Sequence, residues 1–122
     1  MAGVEARNLD SPDETRNPDK GTVELVKMGE DRAGRFTFQP GWRWSESIKP
    51  TAGTDSCQSH HFGYVLSGAL HIEHEDGTTG EATAGSVYRV EPGHDAWVIG
   101  DEPFIGIEFD KSIADYAKAS GS

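Results

Sequence analysis

The chain has 122 residues, with 21 acidic against 11 basic side chains and a net charge of −10. No cluster of Lys and Arg appears, which argues against nucleic acid and anionic membrane as partners, and no apolar run approaches the ~20 residues a membrane span needs. The length fits one domain that buries about two-thirds of its unfolded surface. The single cysteine, Cys57, cannot form an internal disulfide, and the first residues lack the apolar core of a signal peptide; both fit a reducing cytoplasm.

Residues 1–20 are polar, carry Pro12 and Pro18, and read as a disordered tail. Short strand-like runs then follow one another from residue 21 to 110: Val23 to Met28, Arg35 to Gln39, and Trp42 to Ile48, the last two separated by Pro40-Gly41. Tyr64 to Leu66 and Leu70 to His74 flank Gly68, and Asp76-Gly77 is a hairpin signal for a type I′ turn. Val87 to Val90, Ala96 to Ile99 and Phe104 to Phe109 complete the series, each opened by a Gly- or Pro-containing turn. Many short strands with frequent turns predict an all-β sandwich or barrel. Beyond it, Ser112 and Asp115 have capping-box spacing, and Ile113, Tyr116 and Ala117 share one helical face, so residues 111–122 read as a short C-terminal helix and tail.

Two segments narrow the fold. Gly85, Glu91, Gly93, Ala96 and Gly100 stand at the five marked places of the second cupin motif, with Pro92 directly after Glu91. Counting back from Gly68, His61 takes the Glu position of the first cupin motif. Its two histidine positions fall on Asp55 and Cys57 with the shorter gap, or on Thr54 and Ser56 with the longer one. Residues 34–109 therefore resemble the cupin superfamily, and the resemblance implies a jelly-roll β-barrel of two antiparallel sheets. Within it, the chain is similar to small bacterial single-domain cupins at residues 40–45, 53–57 and 92–97. That likeness implies a pocket at the barrel mouth and a homodimer formed by strand exchange or sheet packing. The two motifs depart from the family at the metal ligands, since Ala96 stands where cupins usually place a histidine.

The ligand-capable types that remain are His61, Cys57, His94 and Asp55. His94 lies two residues before Ala96, so a regular strand projects both to one face. Such a set suits one divalent first-row metal, Zn²⁺, Ni²⁺ or Fe²⁺. On a straight strand, however, Cys57 and His61 would lie about 13 Å apart, and one metal requires its ligands within about 5 Å. The chain must bend at residues 58–60 for this reading to hold; otherwise His61 is a histidine hydrogen-bonded in a polar pocket. A thiol beside an imidazole could also act as a nucleophile, although no orienting group accompanies it. His60 should face away from His61, and His71 and His74 sit on an acidic hairpin at the surface. Trp42 and Trp44 alternate on the expected strand and so face one side. Trp44 and Trp97, with His61 and His94, are the candidate contacts of a small organic ligand in the barrel. Two functions follow: a module that binds a small molecule, or a metal-dependent enzyme, an oxygenase or isomerase of small polar metabolites, with an atypical Cys/His site.

Overall fold

The structure, a computed structural model, describes residues 3–109 and residue 113. The described strands are β1 (Glu14–Arg16), β2 (Gly21–Met28), β3 (Asp31–Phe38), β4 (His61–Ser67), β5 (Ala69–His74), β6 (Thr79–Thr83), β7 (Val87–Val90), β8 (His94–Ile99) and β9 (Phe104–Glu108). They form a six-stranded sheet in the order β1-β2-β3-β9-β4-β7 and a three-stranded sheet in the order β6-β5-β8. Every pairing is antiparallel. The all-β double-sheet jelly roll expected from the sequence is the fold. No helix among the described residues is long and apolar enough to cross a membrane.

Alternation along the strands decides what enters the barrel. His61, Gly63 and Val65 of β4 point inward, as do His94, Ala96 and Val98 of β8 and Phe104, Gly106 and Glu108 of β9. Rings dominate the filling: Phe38 stacks on Trp42 at 3.8 Å between centroids, and Phe36 meets Phe38 edge-on at 5.9 Å. Trp42, Trp44, Phe36 and Phe104 are each no more than 2% exposed.

Three expectations need correction. Trp42 to Ile48 is not a strand; Trp44–Ser47 forms a helical turn, α1, followed by Lys49–Ala52, α2. A long-range contact overrides the local alternation here. The Asp95 carboxylate of β8 accepts the Ser45 N–H (3.1 Å) and the Arg43 side chain (3.2 Å), which turns the backbone at the helix start. Pro50 in the first turn of α2 and left-handed Gly53 (φ 75°) at its end complete the segment. Both indoles are nevertheless buried on one side, as expected. The second correction concerns the tail, since Glu14–Arg16 within it adds a strand to the sheet and Asp13 bonds to the backbone of Lys27. Third, the hairpin at Asp76-Gly77 forms and brings β6 with it, but only Gly77 has positive φ (93°), so the turn is not type I′. The short C-terminal helix expected after residue 110 lies outside the described residues, apart from Ile113, which is buried.

Gly63 shows how the barrel makes room for its polar centre. It sits on β4 between Glu108 of β9 and Tyr88 of β7, in register with both. A Cβ there would overlap the Ile107 carbonyl and lie 2.8 Å from Glu108 Cγ and 3.0 Å from Tyr88 Oη. The missing side chain lets Tyr88 and Glu108 meet across the strand. Gly63→Ala should therefore cost about 1–3 kcal/mol, as over-packing does, measured by urea unfolding. A stability equal to the parent's would show that the strands yield freely.

Candidate metal centre

The centre is assembled from three strands and one loop. Cys57 belongs to the segment before β4 and is clamped to the start of β8 by main-chain hydrogen bonds. Its N–H donates to the His94 carbonyl (2.7 Å), and its own carbonyl accepts the Gly93 N–H (2.7 Å). Residues 58–60 are not in a strand, so the spacing of a straight strand does not apply between Cys57 and His61. Gln58 turns back to the Ser56 hydroxyl (3.0 Å), and that hydroxyl donates to Glu75. His60 points toward Glu91 (3.6 Å) while its neighbour His61 enters the barrel. Cys57 Sγ lies 3.7 Å from His61 Nε2. The distance a straight strand would impose is thereby removed.

His94, the first residue of β8, faces inward with Ala96, and its ring centroid lies 5.0 Å from that of His61. One ligand-capable atom from each of Cys57, His61 and His94 falls within 4.8 Å of the others, and all three residues are buried. Each imidazole is oriented from behind. His61 Nδ1 lies 2.7 Å from Glu108 Oε1, and His94 Nδ1 lies 2.8 Å from the Glu91 carbonyl oxygen. A carbonyl oxygen only accepts, so His94 carries its proton on Nδ1 and turns Nε2 into the barrel. The Glu108 carboxylate is in turn held by the Tyr88 hydroxyl, which donates to Oε2 (2.7 Å).

Burial alone would push the Cys57 thiol up, but hydrogen bonds and charge from His61 and His94 bring it down to about 6. Burial likewise disfavours a charged His61, and the Glu108 carboxylate, with Cys57, outweighs it and holds the ring well above its ordinary value. The surroundings of the bare cluster thus favour a thiolate against an imidazolium, with the Glu108 side chain behind the ring.

Beside the cluster is a cavity of about 30 Å³, lined chiefly by aromatic rings, including Trp42 and Trp44. It shares Ile72, Tyr88 and Val90 with a groove of about 530 Å³ that opens between the edges of β6 and β7.

No family model and no curated relative matches the chain. Solved structures do. A protein of unknown function from Rhizobium leguminosarum bv. viciae is similar with a TM-score of 0.64 at 17% identity, over 88% of this chain and 96% of that one. KdgF from a Halomonas species gives 0.59 at 19% identity, over 88% and 92%. An oxalate decarboxylase of Lactobacillus farciminis, in a formate complex, gives 0.61 at 12% identity, over 89% of this chain and 33% of the enzyme. The chain has the cupin fold. At these identities the likeness carries no residue roles.

Within this fold, the residues singled out from the sequence divide cleanly. Cys57, His61 and His94 come together, and His94 occupies the region that Ala96 leaves without a ligand. Asp55 does not join them. Its side chain is fully exposed and lies 3.8 Å from Lys49 Nζ, because residues 54–56 form a bend and not the strand that would align Asp55 with Cys57. Trp97 is also elsewhere. As an odd-numbered residue of β8 it faces outward, packed under Arg43 (4.2 Å) and beside His71 (4.6 Å), so it is no contact for a molecule in the barrel. Trp44 does line the cavity. Glu108 and Tyr88 were not anticipated. The alternation of Phe104, Gly106 and Glu108 was the available signal, since it puts the carboxylate on the core face.

In metal-free protein the Cys57 thiolate should titrate about pH 6, below the ordinary thiol value, when followed by its ultraviolet absorbance. His61→Ala should move that midpoint upward, because the ring supplies a hydrogen bond and a positive charge to the sulfur. An unshifted midpoint would mean that the two side chains do not interact.

Proposed function

We propose that this cupin holds one divalent metal ion through Cys57, His61 and His94 and uses it on a small polar metabolite. The carrying observation is the pair of imidazoles whose Nδ1 atoms are tied to Glu108 and to the Glu91 carbonyl. That is the usual outer-shell arrangement of metal-ligating histidines, in which the second nitrogen is fixed by an acceptor and the first is left to bind. A thiolate and two imidazoles suit Zn²⁺, Ni²⁺ or Fe²⁺. Three protein ligands leave a further coordination position, as in catalytic rather than structural sites. When bound, the ion would supply Lewis acidity at that position. This chain's own residues do the rest. Glu108 and Glu91 set the ring orientations, the aromatic wall limits water, and Tyr88 holds Glu108.

The cavity argues for the metal-dependent alternative over a module that encloses an organic ligand. At about 30 Å³ it has room for roughly one water-sized group, far below the ~300 Å³ at which small-molecule pockets begin. The groove outside, about 530 Å³, is of ligand size. A substrate would lie there and offer one small group inward, past Ile72, Tyr88 and Val90. A buried thiolate ligand also favours a reducing compartment such as the cytoplasm.

Elemental analysis of untagged protein should give close to one metal per chain. His61→Ala and Cys57→Ser should each lose it while the circular dichroism spectrum is kept. Glu108→Gln should retain the fold and weaken metal affinity by about 10- to 100-fold, the usual cost of removing an outer-shell partner. Metal retained in His61→Ala would overturn the assignment. So would protein that takes up none of Zn²⁺, Ni²⁺ or Fe²⁺ after reconstitution.

A further inference from the structure

Two buried donors inside the barrel are left without an acceptor. Trp42 Nε1 and Trp44 Nε1 are both buried, and neither has a hydrogen-bond partner among the described residues. The Trp42 N–H does not meet the face of its stacked neighbour, because that indole lies parallel to Phe38 (5° between planes) and its N–H lies in its own ring plane. An indole nitrogen only donates. A buried donor left unpaired carries its full desolvation penalty, which is why such groups are rare in folded proteins. Both indoles line the cavity of about 30 Å³ beside the cluster.

The other polar side chains on that wall narrow the chemistry of what the indoles meet. They are His61, His94, Tyr88 and Glu108. The Tyr88 hydroxyl is committed to Glu108 Oε2, and Glu108 Oε1 lies 2.7 Å from His61 Nδ1. With a metal held as proposed above, on which this inference rests, His61 Nε2 and His94 Nε2 are committed as ligands. The wall then offers two donors, while each of its side-chain acceptors is engaged. A hydroxyl or an amine placed there would lose a hydrogen bond to water and regain none. A carboxylate would set a second anion beside the buried Glu108 side chain. An uncharged oxygen without a hydrogen meets neither objection, and a carbonyl oxygen is of the water-like size that the cavity admits.

We propose that Trp42 and Trp44 form the subsite for a carbonyl oxygen, so that the substrate of this centre is a small aldehyde or ketone. The carbonyl enters first, from the groove of about 530 Å³ and past Ile72, Tyr88 and Val90, while the rest of the molecule stays in the groove. The indole N–H groups fix the direction of the oxygen. An alcohol or amine of the same shape is turned away by the acceptor it lacks.

Acetone, isopropanol, isopropylamine and acetate are close in shape and differ in the group at one end. Isotope-labelled protein loaded with zinc reports on each through its indole N–H resonances. Acetone should move the Trp42 and Trp44 signals saturably and leave Trp97, on the outer face of β8, in place. The other three should each bind about tenfold more weakly or worse, the order of one buried hydrogen bond left unmade. Trp42→Phe and Trp44→Phe should each weaken acetone about 2- to 10-fold with metal content unchanged. A shift confined to one of the two signals assigns the oxygen to that ring, and only its Phe variant should then weaken binding. If the Phe proteins unfold, the titration of the native protein decides alone. Elemental analysis reads the metal separately: protein without zinc whose buried indole signals still follow acetone loses the metal reading and keeps the indole subsite. Zinc-loaded protein in which neither buried signal moves, in which Trp97 moves with them, or in which any of the other three compounds binds as tightly as acetone would overturn the proposal.

Discussion

Burying the Glu108 carboxylate among phenyl and indole rings costs several kcal/mol unless its oxygens are occupied, and both are. Tyr88 donates to one and His61 lies against the other, each at 2.7 Å. These contacts come from strands far apart in sequence, and they meet only because Gly63, in the strand between them, has no side chain to separate them. The register of β9, β4 and β7 is therefore fixed by a polar contact as well as by alternation of apolar residues. A shift of one residue would turn Glu108 out to solvent and His61 away from the sulfur. The remaining geometry of the centre depends on this one carboxylate.

Its charge also sets the electrostatics next to it. A carboxylate behind His61 stabilises the protonated ring, and the protonated ring stabilises the Cys57 thiolate. Without a cation the cluster holds two anions against one imidazolium. A divalent ion that displaces the imidazolium proton brings the formal sum to zero, which is the condition a low-dielectric barrel favours. The thiol is thus held in the state a metal requires by His61 and His94, the imidazoles that would bind beside it, with Glu108 behind His61. Cys57 without His61, or His61 without Glu108, would be a buried residue of ordinary reactivity.

Much of the fold was legible because cupin motifs record turns. Gly68, Gly85, Gly93 and Gly100 all adopt positive φ, and their spacing identified the strands between them. His61 was found by its distance from Gly68, and His94 by its parity with Ala96. What the sequence hid were contacts that depend on pairing between distant strands. Glu108 at the end of an apolar strand reads like a solvated terminus until β9 is known to lie against β4. The strand expected at Trp42 to Ile48 failed for the same reason, since the Asp95 carboxylate that turns it into a helix is contributed by β8. Trp97 is a different case. Its parity with respect to His94 already placed it on the outer face of β8, and proximity in sequence to the mouth was the weaker guide.

Strand β4 carries two unlike surfaces in seven residues. His61, Gly63 and Val65 build the floor of the centre, while Phe62, Tyr64 and Leu66 present an apolar face to the outside. The period of two keeps these sets apart chemically, yet the backbone is shared, so each outer residue lies within one peptide unit of an inner one. Neither set can be shifted along the strand without shifting the other. Selection for an apolar outer face and selection for a metal-capable inner one therefore act on the same register. The register is held from inside by the contact of Glu108 with Tyr88 and His61, whether or not the outer face is covered. The polar centre does not depend on the outer face for its geometry, whereas the outer face depends on the polar centre for the alignment of its apolar residues.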